Sequence, residues 1–417
     1  MSVSALGAVL ALVIAIVLIL KKVPPTYAMV IGAIIGGLVG GVGLANTVTY
    51  MIDGTKNIVS AIIRIVAAGV LAGTLIESGA AARIAESIVE KLGTKNSLLA
   101  MTLATWLLTA VGVFGDVAII TVSPIAIEIA QKSGYKKLGI LIAMIGGVKA
   151  GNVMSPNPNG IAAAETFNVP LTSMMAAGIP AAITAIIVTT IIAKRLSSKG
   201  TEIIVDGPAI SREDLPSLGS SLLGPIVTII LLLFRPIFGI EIDPLIALPI
   251  GGLAGIIAMR KTKDTISYLE SGLGRMSGVA MLLIGTGTLA GIIANSTLKD
   301  VIINGLNVVG MPAFLLAPIS GILMGAASAS STAGTTLASQ VFGETILAYG
   351  VAPLAAGAMI HSGSFVFDGL PHGSFFHVSA GTVNMEIQER LKLILYESFI
   401  GISMVLISTI IYGIILN

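Results

Sequence analysis

The stretch that most limits what this chain can become is Lys149-Ala-Gly-Asn-Val-Met-Ser-Pro-Asn-Pro-Asn-Gly160. It interrupts an apolar segment that begins near Leu138 and resumes at Ile161. Without the interruption, that segment would cross a bilayer as one helix. Proline removes a backbone donor and clashes with the preceding turn, and glycine tolerates the angles that follow. In hydrocarbon, the freed backbone groups are tolerated only where protein or a water-filled cavity satisfies them. A broken helix at membrane depth therefore points to a polar cavity, and to a ligand inside it.

The remainder of the chain supplies the membrane. Only 11% of its 417 residues are charged, against roughly a quarter in soluble domains. No basic cluster marks a nucleic-acid partner. Cysteine is absent, which excludes disulfides, thiolate metal sites and cysteine nucleophiles. There are three histidines, and no His/Asp/Glu grouping has metal-ligand spacing, so neither a metal nor a cofactor is expected. No nucleophile–base pair is spaced for catalysis, so the chain does not read as an enzyme. The first apolar run, Val3–Leu20, lacks a basic region before it and reads as a span that stays.

Further spans follow at Pro25–Leu44, with Gly32, Gly36 and Gly40 on one face for close packing, and at Asn57–Ile76. Ser78–Gly93 reads as an interfacial amphipathic helix. Ser97–Phe114 and Val117–Gln131 are short and basic on both flanks, which suggests a re-entrant hairpin over 97–131 with Gly112, Gly115 and Asp116 at its tip. Two short spans with a tight turn are the other reading. The broken helix covers 138–167, a span covers Met174–Ala193, and a polar linker begins at Lys194.

From Ser220 the pattern starts again, with spans at Leu222–Phe234 and Pro244–Met259. Gly69-Val-Leu-Ala-Gly73 recurs 218 residues on as Gly287-Thr-Leu-Ala-Gly291, and Asn168 lines up with Asn384. The expected build is an all-α polytopic protein of two repeats, 1–209 (linker 194–209 included) and 210–417. Each repeat has about five transmembrane helices and one re-entrant hairpin, with a broken helix in each half. The second hairpin falls near 312–347 and the second broken helix near 351–382. An odd number of spans per half makes the repeats inverted. The bias of lysine and arginine places both termini outside a cell (inner or plasma) membrane, with Lys21, Lys22, the linker and Arg390 in the cytoplasm.

Candidate site residues gather at the breaks and tips. A carboxylate at membrane depth is a functional candidate, so Asp116 is either a proton or cation site or a cap on the helix that follows. Lys149 can pair with a substrate carboxylate or with Asp116, or snorkel to an interface. Asn152, Ser155 and Asn157 offer neutral donors to a carboxylate, beside half-helix N-termini with partial positive charge. Ser330, Ser331, Thr332 and Thr335 make the second tip a row of hydroxyls, suited to an anion or a sodium ion. Some of them bond back to their own helix. Ser374 adds a hydroxyl at the second break. His361, Asp368 and His372 are the candidates for coupling, histidine being the side chain that titrates near neutrality; His361 reads equally as a packing residue, and His372 as a substrate or proton ligand. His377 reads as lying beyond the cavity. Arg64 reads first as snorkelling and second as a counter-ion, and Glu77, Glu165, Glu344 and Glu397 read as interfacial.

Three stretches carry a family resemblance: Glu77-Ser-Gly-Ala-Ala-Ala-Arg-Ile-Ala, Gly115-Asp116-Val-Ala-Ile-Ile with Ser123-Pro124, and Ser155-Pro-Asn-Pro-Asn-Gly-Ile-Ala-Ala-Ala-Glu165. Together with the small, hydroxyl-rich tract Gly325–Thr336 they resemble the gluconate:proton symporter (GntP) family. The resemblance implies a symporter of a small organic carboxylate, such as gluconate or a related hydroxy or keto acid, coupled to protons by alternating access. The alternatives are sodium-coupled uptake of a di- or tricarboxylate, and an ion antiporter without organic substrate. The related architecture implies a homodimer through the glycine-faced spans. The chain departs from the family at the substrate contacts. It has Gly151-Asn152 and Ser155-Pro156-Asn157-Pro158 where gluconate carriers have a histidine-glycine and a proline-rich run. It has Asp368-Gly-Leu-Pro-His372 where they have an asparagine-aspartate pair.

Overall fold

The computed structural model describes residues 2–416 except Asn57, 94–95, 203–214, Glu241, Lys299, 302–303, 305–307, 309–311 and His372. Regular structure among the described residues is helical, apart from an isolated bridge between Val3 and Ser296. The first half contains α1 (Ala5–Leu20), α2 (Pro25–Val39), α3 (Gly43–Lys56), α4 (Val59–Glu77) and α5 (Ala80–Leu92). It continues with α6 (Ser97–Ala110), α7 (Gly115–Ser133), α8 (Lys137–Asn152), α9 (Pro158–Thr166) and α10 (Leu171–Leu196). The second contains α11 (Leu218–Phe238), α12 (Pro244–Ala258), α13 (Thr265–Ala294), α14 (Leu316–Ser328) and α15 (Ser331–Ala348). After these come α16 (Pro353–Ser364), α17 (Ser374–Thr382), α18 (Ile387–Leu391) and α19 (Ile394–Thr409). Among the described residues, four helical stretches are long and apolar enough to cross a membrane: Val59–Glu77, Leu171–Leu196, Thr262–Ala294 and Ile387–Ile415.

Local chemistry sets the ends. Pro25 and Pro244 open α2 and α12 at the first turn, where a missing N–H costs nothing. The first hairpin turns over 111–114 between α6 and α7, and the second turns at Ala329 and Ser330 between α14 and α15. The backbone itself recurs along the chain: α8 and α16 begin 216 residues apart, as do α9 and α17. At that spacing Gly134 and Gly350 are both left-handed, with φ of 68° and 83°, and Asn168 and Asn384 follow with 48° and 49°.

One element differs from the expectation. Residues 43–56 form a helix of their own, α3, where the sequence suggested the tail of the second span. Gly41 and Gly43 take positive φ and turn the chain between α2 and α3. Such a turn is hidden in a sequence already dense with packing glycines.

The long helix α13 lies antiparallel to α3 and α4 in a constant register. A Cβ at Gly54 would lie 2.2 Å from the Gly287 carbonyl oxygen, and one at Gly272 would lie 2.0 Å from that of Gly69. Gly291 meets Tyr50 and Gly73 meets Tyr268 in the same way. Only glycine permits backbones this close, which is what its four-residue spacing serves in lipid. Toward the centre, α8 is buried from Leu138 to Gly151 and α16 from Ala355 to Ser364. These are the helices that lead into the two breaks.

Candidate functional site

The first break is held open by its own side chains. Asn157 Oδ1 accepts from the Gly160 amide at 3.0 Å and caps α9, while its Nδ2 donates to Asn152 O and Oδ1, both at 3.0 Å. Pro158 then starts α9 with its φ pre-set. Asn159 reaches across to the second hairpin. Its Nδ2 donates to Ser331 Oγ at 3.3 Å and its Oδ1 accepts from Thr332 Oγ1 at 2.5 Å. Ser330 caps α15 by accepting from the Ala333 amide at 3.3 Å.

The second break meets the first hairpin. A Cβ at Gly115 would lie 2.6 Å from Val148 and 3.7 Å from the Phe375 ring, so only glycine fits at this tip. The next residue, Asp116, opens α7. Between the breaks runs one ion pair: Lys149 Nζ donates to Asp368 Oδ1 and, at 2.7 Å, to the Phe365 carbonyl. The Lys149 side chain is 1% exposed and that of Asp368 10%. A buried pair needs this extra hydrogen bond, because removing charge from water is costly.

A cavity of about 730 Å³ lies where these parts converge. Asp116, Lys149, Asn152, Asp368, Ser331 and Thr332 line it, and it reaches the exposed α1–α2 loop at Lys22–Thr26. Its size falls within the range of small-molecule sites, roughly 300–1,000 Å³. Among the described residues, no hydrogen bond or ion pair engages the Asp116 carboxylate. Asn157, Ser330 and Ser374 also border the space.

Three of the residues singled out from sequence do not reach it. Ser155 is buried and points back to the Asn152 carbonyl at 3.4 Å. Thr335 shares a 2.8 Å hydrogen bond with Ser364 and is wholly buried. His361 is buried against Phe365, ring centroids 5.4 Å apart. For Thr335 and His361 helical periodicity turns the side chain into the packing around a break, whereas Ser155 lies in the non-helical break itself and folds back on it. His372 lies outside the described residues. His377, expected beyond the cavity, lines it, with Nε2 2.8 Å from the Pro371 carbonyl.

Two charge clusters went unread. Arg390, expected in the cytoplasm, is fully buried and pairs with Glu397, which is no interfacial residue. The guanidinium also donates to Ser379 Oγ at 3.0 Å and sits 4.8 Å over the Phe376 ring, tying α17, α18 and α19 together behind the second break. Their seven-residue spacing was the available signal, since it places two side chains on one helical face. Arg64 does not snorkel. It holds Asp243 through Nε at 3.0 Å and Nη2 at 2.6 Å, and Glu165 through Nη1 at 2.5 Å. The Arg64 guanidinium keeps the Asp243 carboxyl below the usual carboxylate range, helped by the Leu245 amide that Asp243 caps.

Known proteins resemble this chain in fold and in sequence. The YdaH transporter of Alcanivorax borkumensis, a crystal structure with an unusual topology, superposes with a TM-score of 0.67 over 90% of each chain at 17% identity. An uncharacterized transporter of Haemophilus influenzae is 57% identical over 415 residues, 99% of each chain. The high-affinity gluconate transporter of Escherichia coli is 22% identical over 76% of this chain and 78% of its own. A low-affinity gluconate transporter of the same organism is 24% identical over 81% and 82%. The Na+-H+ antiporter family matches residues 220–309. The GntP family permease profile matches residues 3–244, more than half of the chain, and with the fold it identifies this protein as a multi-pass membrane transporter of the GntP family.

Proposed function

We propose that this transporter carries a small organic carboxylate of the gluconate kind together with a proton, by alternating access between two inverted repeats. The observation that carries the reading is the Lys149–Asp368 pair on the cavity wall. A proton placed on Asp368 neutralises it and frees the ammonium, which then takes the substrate carboxylate. One ion pair replaces another, so no uncompensated charge is left buried. The loaded carrier has the same net charge as the empty one, which makes the anion and the proton travel one to one. Asp116, on the same cavity and free of described partners, is a second place for a proton. Asn152 and the hydroxyls of Ser331, Thr332 and Ser374 suit the polyol of a sugar acid.

Inversion of the repeats is supported by the contact between α13 and α3–α4. Gly69 meets Gly272, and the residues 218 further on and 218 back, Gly287 and Gly54, meet each other in the same way. Reciprocal contacts in an antiparallel pair are what a two-fold axis across the helices produces. We read 1–209 and 210–417 as the repeats, and the termini as lying on the face away from the α1–α2 loop.

The test is uptake of radiolabelled gluconate and related hydroxy acids into proteoliposomes. An inward proton gradient drives accumulation in this reading, and a sodium gradient alone does not. A second reading, sodium coupling, draws on the antiporter-family match at residues 220–309 and on the hydroxyls at 330–332. Accumulation driven by sodium alone would establish it and sink the proton.

A further inference from the structure

The cavity is bordered by the exposed α1–α2 loop, and Leu282 of α13 also lines it. The position 218 residues before Leu282 is Arg64, and the loop that matches the α1–α2 loop is the one that ends at Asp243. In the inverted reading these matched sites lie at opposite faces of the membrane. One face thus presents a leucine that lines the cavity. The other presents Arg64 clamped between Asp243 and Glu165.

The three charges belong to different bodies. Arg64 on α4 and Asp243 at the start of α12 are on helices that pack on each other. Glu165 is near the end of α9, the helix that leaves the first break and whose Asn159 is bonded to the second hairpin. A movement of break and hairpin that carries α9 away from α4 would draw Glu165 off Arg64. Asp243 holds Arg64 in place by a two-point contact while that happens, so the guanidinium is not left unpaired.

We propose that the Arg64–Glu165 ion pair is the gate on the face away from the α1–α2 loop: closed in this structure, and broken when the cavity opens to that side. The pair is suited to be broken. Its side chains are 23% and 29% exposed, and such partly exposed pairs are weak and screened by salt.

The cysteine-free chain allows a direct test. Cysteines at Lys22 and Phe238 mark the two faces, and Ser374→Cys reports from inside the cavity to a membrane-impermeant maleimide. In the parent, Ser374→Cys reacts from the Lys22 face and is protected from the Phe238 face. Glu165→Gln raises labelling from the Phe238 face about two- to fivefold, the shift a tie of this strength can hold. Arg64→Lys keeps the charge but loses the fork that holds both acids. It raises labelling likewise, and guards against a misfolded Gln variant once both elute as the parent does. Unchanged labelling from the Phe238 face in both variants overturns the gate. If Lys22 and Phe238 label from the same face, the inverted reading fails instead, so the two failures are separable.

Discussion

Lys149 draws both of its partners, Phe365 and Asp368, from more than two hundred residues away. Replacing it with methionine strands a buried carboxylate, and the loss of one member of such a pair costs about 3–5 kcal/mol. Thermal unfolding in detergent should therefore fall sharply for Lys149→Met and recover most of the way when Asp368→Leu is added. Asp368→Asn separates coupling from binding: gluconate counterflow should persist, while accumulation against a gradient disappears. At Asp243 the sign of the pH effect is fixed by its lowered carboxyl. Its stabilisation is full above the unfolded value, near 3.9, and fades as pH falls through the lower folded value. Asp243→Asn should thus unfold earlier than the parent at pH 7 by no more than about 1 kcal/mol, and the two should converge in strong acid. A difference that grows on acidification would count against the Arg64 contact. The sequence singled out Lys149 and Asp368 because charge amid apolar residues is conspicuous. It could not join them, because nothing local records a partner two hundred residues away.

At the scale of elements, the breaks and hairpin tips were legible because proline, glycine and hydroxyls inside apolar runs have few other uses. The separate helix α3 was not, since Gly41 and Gly43, which turn the chain, look like the packing glycines beside them. Nor could the sequence tell the open side of a break from its packed side, so nothing in it set Ser155 and Thr335, which are buried away from the cavity, apart from Asn152 and Thr332, which line it. The close contact of α13 with α4 is checked within one helix. Gly272 faces the Gly69 carbonyl, whereas Gly274 faces open space. Gly272→Ala should lower the yield of folded protein and its melting temperature. Gly274→Ala should leave both unchanged or gain up to about 1 kcal/mol from helix propensity. Equal behaviour of the two would mean that these helices do not approach as closely as described.

The whole molecule is apolar helix held by polar ties, and among the described residues several of these cross from the first half of the chain to the second. Asn159 bonds Thr332, Arg64 bonds Asp243, and Val3 bridges to Ser296. A small carboxylate that binds the folded carrier should raise its melting temperature as its concentration passes the dissociation constant, and Lys149→Met should abolish that rise while Ser155→Ala leaves it.

The Lys149 tie also bears on how the protein is made. During synthesis α8 is finished long before Phe365 and Asp368 leave the ribosome, so its lysine waits in the bilayer without a counter-charge. The early half should then be open to quality-control proteases until the late half arrives. Severed at the linker, residues 1–209 made alone should be degraded, and those made alongside 210–417 should accumulate.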